Sequence, residues 1–417
     1  MDATDASADN ATNHPRSQRT MTASTAPATP SALLRAIDAI APEFVAIRHR
    51  IHAHPELAFE ERRTSDLVAE RLAAWGYEVH RGLGTTGVVG RLRKGSGTRA
   101  LGIRADMDAL PIQEKTGLDY ASTLPGKMHA CGHDGHTAIL LCAARYLAES
   151  VDFNGTLNLI FQPAEENEGG ALRMLEDGLF ERFPCDEVYA LHNTPGLPVG
   201  QVGLIAGPAM ASFDRATVTL HGRSAHGAMP HHGIDVMQGA ASMVLGLQSI
   251  VSREIDALKA AVITVGSIQA GATYNVVPES ATIKIGVRAL DPKVRTHIEA
   301  RLRDFVAAQA RSFQLEAEVV YERKYPVLVN HERQTERARE AAVRLLGEDK
   351  VVARGPVMGS EDFAYMLEHR PGAYIRLGNG LGEDGGCMVH NPLYDFNDRA
   401  LPVGAAFWAS LAQSYLA

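Results

Sequence analysis

Apolar and polar positions along the chain change rhythm in a regular order. SALLRAIDAIAPEFVAIRHRIHAH (31–54) and TSDLVAERLAAWG (64–76) space their apolar residues three and four apart, as a helix with one buried face requires. Short apolar runs follow at GVVGRLRK (87–94), RALGIRAD (99–106), TLNLIFQP (156–163) and EVYALHN (187–193), which read as strands. Helical spacing returns between them over 136–150 and 171–180. Strands alternating with helices predict an α/β arrangement around a largely parallel sheet.

The middle of the chain has a different style. FDRATVTLHG (213–222) reads as a strand and 233–254 as a helix. Two strands follow at 260–271 and 280–290, then a helix over 292–312 and a last strand over 315–323. The order β-α-β-β-α-β is that of a ferredoxin-like unit. After Pro326 the α/β style resumes to the end. A small domain over 211–325 is therefore expected as an insertion in a discontinuous larger domain over 31–210 and 326–417. Residues 1–30 are rich in Ala, Thr, Ser, Asp and Asn and lack the apolar core of a secretory signal, so they are expected to form a disordered tail.

Composition narrows the function classes. The 417 residues are 45% hydrophobic and 22% charged, an ordinary globular balance. No apolar run approaches the roughly 18–20 residues that cross a bilayer. With 41 Lys plus Arg against 49 Asp plus Glu, and no basic block, neither nucleic acid nor a membrane is expected as a partner. The four cysteines are no disulfide framework and fit a reducing, cytoplasmic compartment.

The densest chemistry is MHACGHDGH (128–136), with His129, Cys131, His133, Asp134 and His136 in nine residues. Thiolate and imidazole suit zinc and its neighbours, and Cys131 with His133 is the best pair of ligands. His129 and His136 are expected to orient those ligands. The segment opens a helix, whose positive end favours a thiolate at Cys131. A polar loop with ordinary helix-capping residues is the plain alternative. In FQPAEENEGG (161–170) a strand runs into Glu165 and Glu166, where one carboxylate can bind metal and the other act as general base. A solvated acidic turn would look the same. His192 ends another strand, and Asp106 and Asp108 end a third. In an open α/β sheet the ligand crevice lies at such strand ends, so these residues weigh more together than singly. His390 sits in a Gly-containing loop, CMVHNPLYDFND (387–398), near the C-terminus. His52-Ala53-His54 imitates the H-x-H of barrel amidohydrolases, but it follows a helical pattern and is read as structural. No H-E-x-x-H, G-x-S-x-G or Walker loop occurs.

In order along the chain, IHAHPELAFEE, IRADMDALPI, MHACGHDGHTA, FQPAEE, LHN, GRSAHGAMPHHGID, YNVVPE, GSEDFAY and VHNPLYDFND run from residue 51 to 398. Together they resemble the aminoacylase/carboxypeptidase-G superfamily of metallo-amidohydrolases, and within it the hippurate hydrolase, N-acyl-amino-acid amidohydrolase and auxin-conjugate hydrolase branch. The resemblance implies a zinc-exopeptidase-like catalytic domain with an inserted ferredoxin-like lid or dimerisation domain, and a homo-oligomer formed through that lid. It implies two divalent ions per subunit (Mn, Zn, Co or Ni) held by Cys131, His133, Glu166, His192 and His390, with Cys131 standing where the wider superfamily has a bridging Asp. Glu165 becomes the expected general base, Asp108 a carboxylate that orients the site, and Asp106 a replacement for a metal-binding His of the wider superfamily. His226 is expected to stabilise the oxyanion, in one arrangement from a partner subunit, and Asn275 and Arg288 to hold the substrate. The implied reaction is hydrolysis of the amide of an N-acylated amino acid, with hinge motion near 207–213 and 324–328. A dipeptidase or carboxypeptidase with the same site, and a non-catalytic conjugate-binding protein, are the alternatives.

Overall fold

The computed structural model describes residues 29–166 and 168–417; the expected tail over 1–30 lies outside these but for its last two residues. The larger sheet has eight strands in the order Glu78–Leu83, Gly87–Lys94, Gly155–Gln162, Ala100–Asp106, Glu187–Pro195, Gly372–Gly380, Val202–Leu204, Val351–Ala353. Ala100–Asp106 runs parallel to both neighbours, and Glu187–Pro195 parallel to Gly372–Gly380. Val351–Ala353 is parallel to Val202–Leu204, and the remaining three ladders are antiparallel. Every residue of Ala100–Asp106 and Gly372–Gly380 is buried, which explains why such strands read as apolar runs without alternation.

Side chains of the sheet still alternate between two cores. Leu101, Ile103, Leu157, Leu159, Tyr189, Leu191, Ile375 and Leu377 face a core with the helices Pro30–His52, His133–Ser150 and Ala400–Tyr415. Val89, Ile160, Val188, Ala190 and Tyr374 face the other, with the short helices Gly170–Glu176 and Phe363–His369. This period of two decides which residues can meet at the site.

The middle segment forms its own four-stranded antiparallel sheet, ordered Ala261–Ala270, Ser280–Ala289, Ser212–His221, Glu316–Arg323. Its helices Val236–Ser249 and Pro292–Ser312 close a separate core around Val218, Ile283, Met243 and Leu302. The first strand lies between the third and the fourth, as the ferredoxin-like order requires. Asp291 caps the second helix by accepting the Lys293 and Val294 N–H groups. Where the chain passes between the two units, Gly207–Met210 pairs with Leu328–Asn330.

Some expected elements differ. The helix expected over 233–254 ends at Ser249 and continues as one turn of π-helix, Ile250–Glu254. The helix expected over 171–180 splits, because Gly178 adopts a left-handed conformation with φ +81°. A small ribbon, Ala225–His226 against Val276–Val277, was not foreseen. No helix among the described residues is long and apolar enough to cross a membrane.

Candidate metal centre

Three neighbouring strands of the large sheet, Gly155–Gln162, Ala100–Asp106 and Glu187–Pro195, deliver most of the site. Asp106 and Asp108 follow from one, Glu165 and Glu166 from another, and His192 lies near the end of the third. Helix His133–Ser150 starts against the same edge. Gly132 before it has φ +94°, and a Cβ there would lie 2.4 Å from Asn193 Oδ1, so only glycine fits. The turn carrying the glutamates is held in an unusual shape. Ala164 has φ +54°, its N–H is accepted by buried Glu61 at 2.9 Å, and Tyr325 Oη donates to the Glu165 carbonyl at 2.5 Å.

Hydrogen bonds set which imidazole nitrogen faces the centre. A carbonyl only accepts, so His133 Nδ1, 2.9 Å from the Asp108 carbonyl, carries the proton. His192 Nδ1 likewise donates to the Asn193 carbonyl at 2.6 Å. Both rings therefore present Nε2 inward. The Cys131 thiol lies 3.3 Å from His192 Nε2, while His133 Nε2 is buried without a hydrogen-bond partner. Asp108 also reaches His133 Nδ1 at 3.2 Å and accepts the Glu166 N–H at 2.9 Å, tying two expected ligands to one carboxylate. His390, at φ +62° in its loop, places Nε2 3.0 Å from Glu166 Oε1.

Ligand atoms of Cys131, His133 and His192 lie within 4.8 Å of one another, and so do those of Cys131, Glu166 and His390. Cys131 belongs to both triads. The donor set of thiol, imidazole and carboxylate fits borderline divalent metals. The electrostatics fit as well. Burial, then Glu166 and Glu165, push the Cys131 thiol well above its ordinary value. The favourable helix end expected to lower it is outweighed by burial and these carboxylates. Burial lowers His133, but Asp106, Asp108 and Glu166 more than reverse this and hold it at about 10. A proton and a divalent cation compete for the same lone pair. Burial first, then Glu361 and Glu166, raise the Glu165 carboxyl well above the usual range.

The remaining expected residues divide. Asp106 is buried, accepts from Arg104 at 2.7 Å and pairs with His136 at 2.6 Å; His136 in turn meets Asn193 at 2.7 Å. His129 stands apart, buried with neither ring nitrogen bonded, and burial pushes it down to about 4. His52 closes a helix and bonds Asp134 and Glu114. Arg288 lines the same cavity as Cys131, Glu165, Glu166, His192 and His390, a space of about 640 Å³. His226 and Asn275 do not line it. Both are exposed, His226 on the ribbon of the small unit and Asn275 just before its second strand, where Gly227 N–H donates to the Asn275 carbonyl.

Two residues of the site escaped sequence reasoning. Arg104 is fully buried and bonds Gln162, Asp106, Glu361 and Asp362 at 2.7–3.1 Å. Glu361 lines the cavity, and its carboxylate lies within 4.8 Å of that of Glu165. Their signal was present, since Arg104 stands two residues before Asp106 and Glu361 falls in GSEDFAY, but nothing local says that the two segments meet.

Known proteins are similar to this chain in sequence and, for one, in structure. Hippurate hydrolase of Campylobacter jejuni is 44% identical over 375 residues, covering 90% of this chain and 97% of that protein. N-acetyl-L-cysteine deacetylase of Bacillus subtilis is 40% identical over 375 residues, covering 90% and 88%. The crystal structure of a dinuclear metal binding peptidase from Bacillus subtilis superposes with a TM-score of 0.79 at 32% identity, covering 91% of this chain and 99% of that one. The family description peptidase family M20/M25/M40 matches residues 102–414, and with these relatives it establishes that the chain belongs to that family.

Proposed function

We propose that this chain is a metal-dependent amidohydrolase that cleaves N-acylated amino acids, hippurate-like or N-acetylated, to a carboxylic acid and a free amino acid. The observation that carries the reading is Cys131 shared by two ligand triads, beside Glu165 and across one cavity from Arg288. Hippurate and N-acetylcysteine, named in the relatives, share one acyl–amino-acid amide.

In this reading Cys131, His133, Glu166, His192 and His390 hold two divalent cations of the Mn, Zn, Co or Ni class. When bound, such ions polarise an acyl carbonyl and lower the pKa of water. Glu165 takes a proton from the attacking water and returns it to the leaving amine. Asp108 keeps His133 in the tautomer that points Nε2 inward. The Arg288 guanidinium grips the amino-acid carboxylate. His226 donates to the tetrahedral oxyanion and Asn275 to the substrate amide once the small unit closes over the cavity, or from a second copy of the chain. The passages at 207–213 and 324–328 are the hinge. Self-association through the small unit and a cytoplasmic setting belong to the same reading; the cysteines are all unpaired.

The test is a panel of hippurate, N-acetyl amino acids and plain dipeptides, given to metal-stripped protein with and without Mn²⁺ or Zn²⁺. Metal-restored release of amino acid from the acylated members is expected. Cleavage of dipeptides alone would move the assignment to a metallo-dipeptidase. Silence across the panel with metal bound would point to a conjugate-binding protein.

A further inference from the structure

The cavity has a second wall, opposite in charge to the metal-ligand cluster. Arg288 and Arg376 line it together with Thr194, Met210, Val357 and Tyr374. Arg376 stands on the strand Gly372–Gly380, in register with His192 on the parallel neighbour. Residues in register leave the same face of a sheet, and adjacent strands lie about 4.8 Å apart. The guanidinium is therefore rooted one strand away from an expected metal ligand. On its other side its partner is Gly203, where a Cβ would lie 2.6 Å from the Arg354 side chain and 3.5 Å from that of Arg376.

Arg376 is only 8% exposed. Nη1 donates to the Gly355 carbonyl and Nη2 to the Ala209 carbonyl, both at 3.2 Å. A guanidinium has five N–H donors, and among the described residues no carboxylate pairs with this one. Burial and the neighbouring Arg354 push its pKa down. Arg288 is half-buried: it donates to the Met358 carbonyl and Ser360 Oγ, lies over the Phe213 ring, and meets no carboxylate among the described residues. Burying an uncompensated cation is unfavourable, and two facing one cavity are doubly so. An anion at each removes that cost.

Hippurate and N-acetyl amino acids with neutral side chains carry one carboxylate, which Arg288 holds in the function proposed above. Arg376 is a cation in excess of that need. We propose that Arg376 is a specificity residue that receives a second carboxylate, so that the preferred substrates are N-acylated amino acids bearing two. This rests on the amidohydrolase reading. The second carboxylate comes from an acidic amino-acid side chain or from a dicarboxylic acyl group; both offer a planar pair of oxygens to the guanidinium fork.

Two measurements separate failure of this proposal from failure of the function. The first is kcat/KM of the metal-loaded protein for N-benzoylglycine, N-benzoyl-L-glutamate and N-succinylglycine. The second is calorimetric binding of the same three to the metal-loaded Glu165→Gln chain. At least one dicarboxylate is expected to exceed N-benzoylglycine by about tenfold or more in both, the order a charge-assisted bidentate pair supplies. Preference for the glutamate compound places the second carboxylate on the amino acid, and preference for the succinyl compound places it on the acyl group. Arg376→Gln should bring the ratio to near one, through KM rather than kcat, while Arg376→Lys keeps part of it. No preference in the unsubstituted protein, or a preference that survives Arg376→Gln, overturns the proposal and leaves the function standing. Preferential binding lost in Arg376→Gln, with none of the three hydrolysed, keeps the anion site and overturns the function.

Discussion

Asp108 illustrates how single residues order this centre. Its backbone carbonyl fixes the His133 tautomer, one carboxylate oxygen supports the same ring, and the other accepts the Glu166 N–H. The geometry places the adjacent glutamates in different surroundings. Glu166 faces His390 and Cys131, whereas the Glu165 carboxyl is buried beside Glu361. Exchanging each type of residue should therefore have a different signature. Glu165→Gln is expected to keep its metal content by mass spectrometry while kcat falls roughly 10²–10⁴-fold, the usual share of general acid–base catalysis. Cys131→Ala is expected to lose metal on dialysis. A Glu165→Gln protein with full turnover moves the base elsewhere, and unchanged metal in Cys131→Ala removes the thiol from the ligand set. At this scale much was legible: MHACGHDGH is local, so the pairing of Cys131 with His133 follows from spacing. Which glutamate faces which partner was not, because adjacent carboxylates in a turn look alike until the turn is folded.

At the scale of elements, close packing of the helix His133–Ser150 controls the site. Gly135 in its first turn faces the Phe396 ring, and a Cβ there would lie 2.4–2.6 Å from three ring carbons. Phe396 is fully buried in the loop that follows His390. Gly135→Ala must push helix and loop apart. A loss of about 1–3 kcal/mol in denaturant unfolding is expected, typical of overpacking a close-packed core, together with weaker metal retention. Full stability in that variant would mean that the loop yields freely. Helix and strand positions were mostly readable because their apolar periods are local. The strand Gly372–Gly380 was not singled out, and the ribbon Ala225–His226 with Val276–Val277 was too short to carry a period.

Across the whole molecule, an ionic network joins the two ends of the larger unit. Arg48 meets Asp134, Asp395 and Asp398, and His52 meets Asp134 and Glu114. The N-terminal helix, the metal-site helix and the C-terminal loop are thereby tied together. Burial lowers the His52 pKa, but Asp134 and the hydrogen bonds outweigh it and hold it at about 9, against 6.5 unperturbed. A histidine raised in the folded state contributes stability that is complete below pH 6.5 and is lost as pH rises through about 9. That contribution is on the order of 3 kcal/mol. Urea unfolding midpoints are expected to fall across this window. His52→Gln should start lower at pH 6 and lose less on the way up; an equal slope in both proteins would assign the pH dependence to other groups.

The sequence by itself determined the α/β class, the inserted β-α-β-β-α-β order and the dense Cys–His segment, because periodicity and short spacings are properties of neighbouring residues. The ordered motifs also point to the family. Tertiary structure alone decided which motifs meet. Pairing between distant strands puts Arg376 beside His192, and Arg104 reaches across to Glu361. The placement of the small unit leaves His226 and Asn275 outside the cavity that Arg288 enters. Register and packing between segments far apart in the chain arise only when the sheets form, so no local pattern announces them.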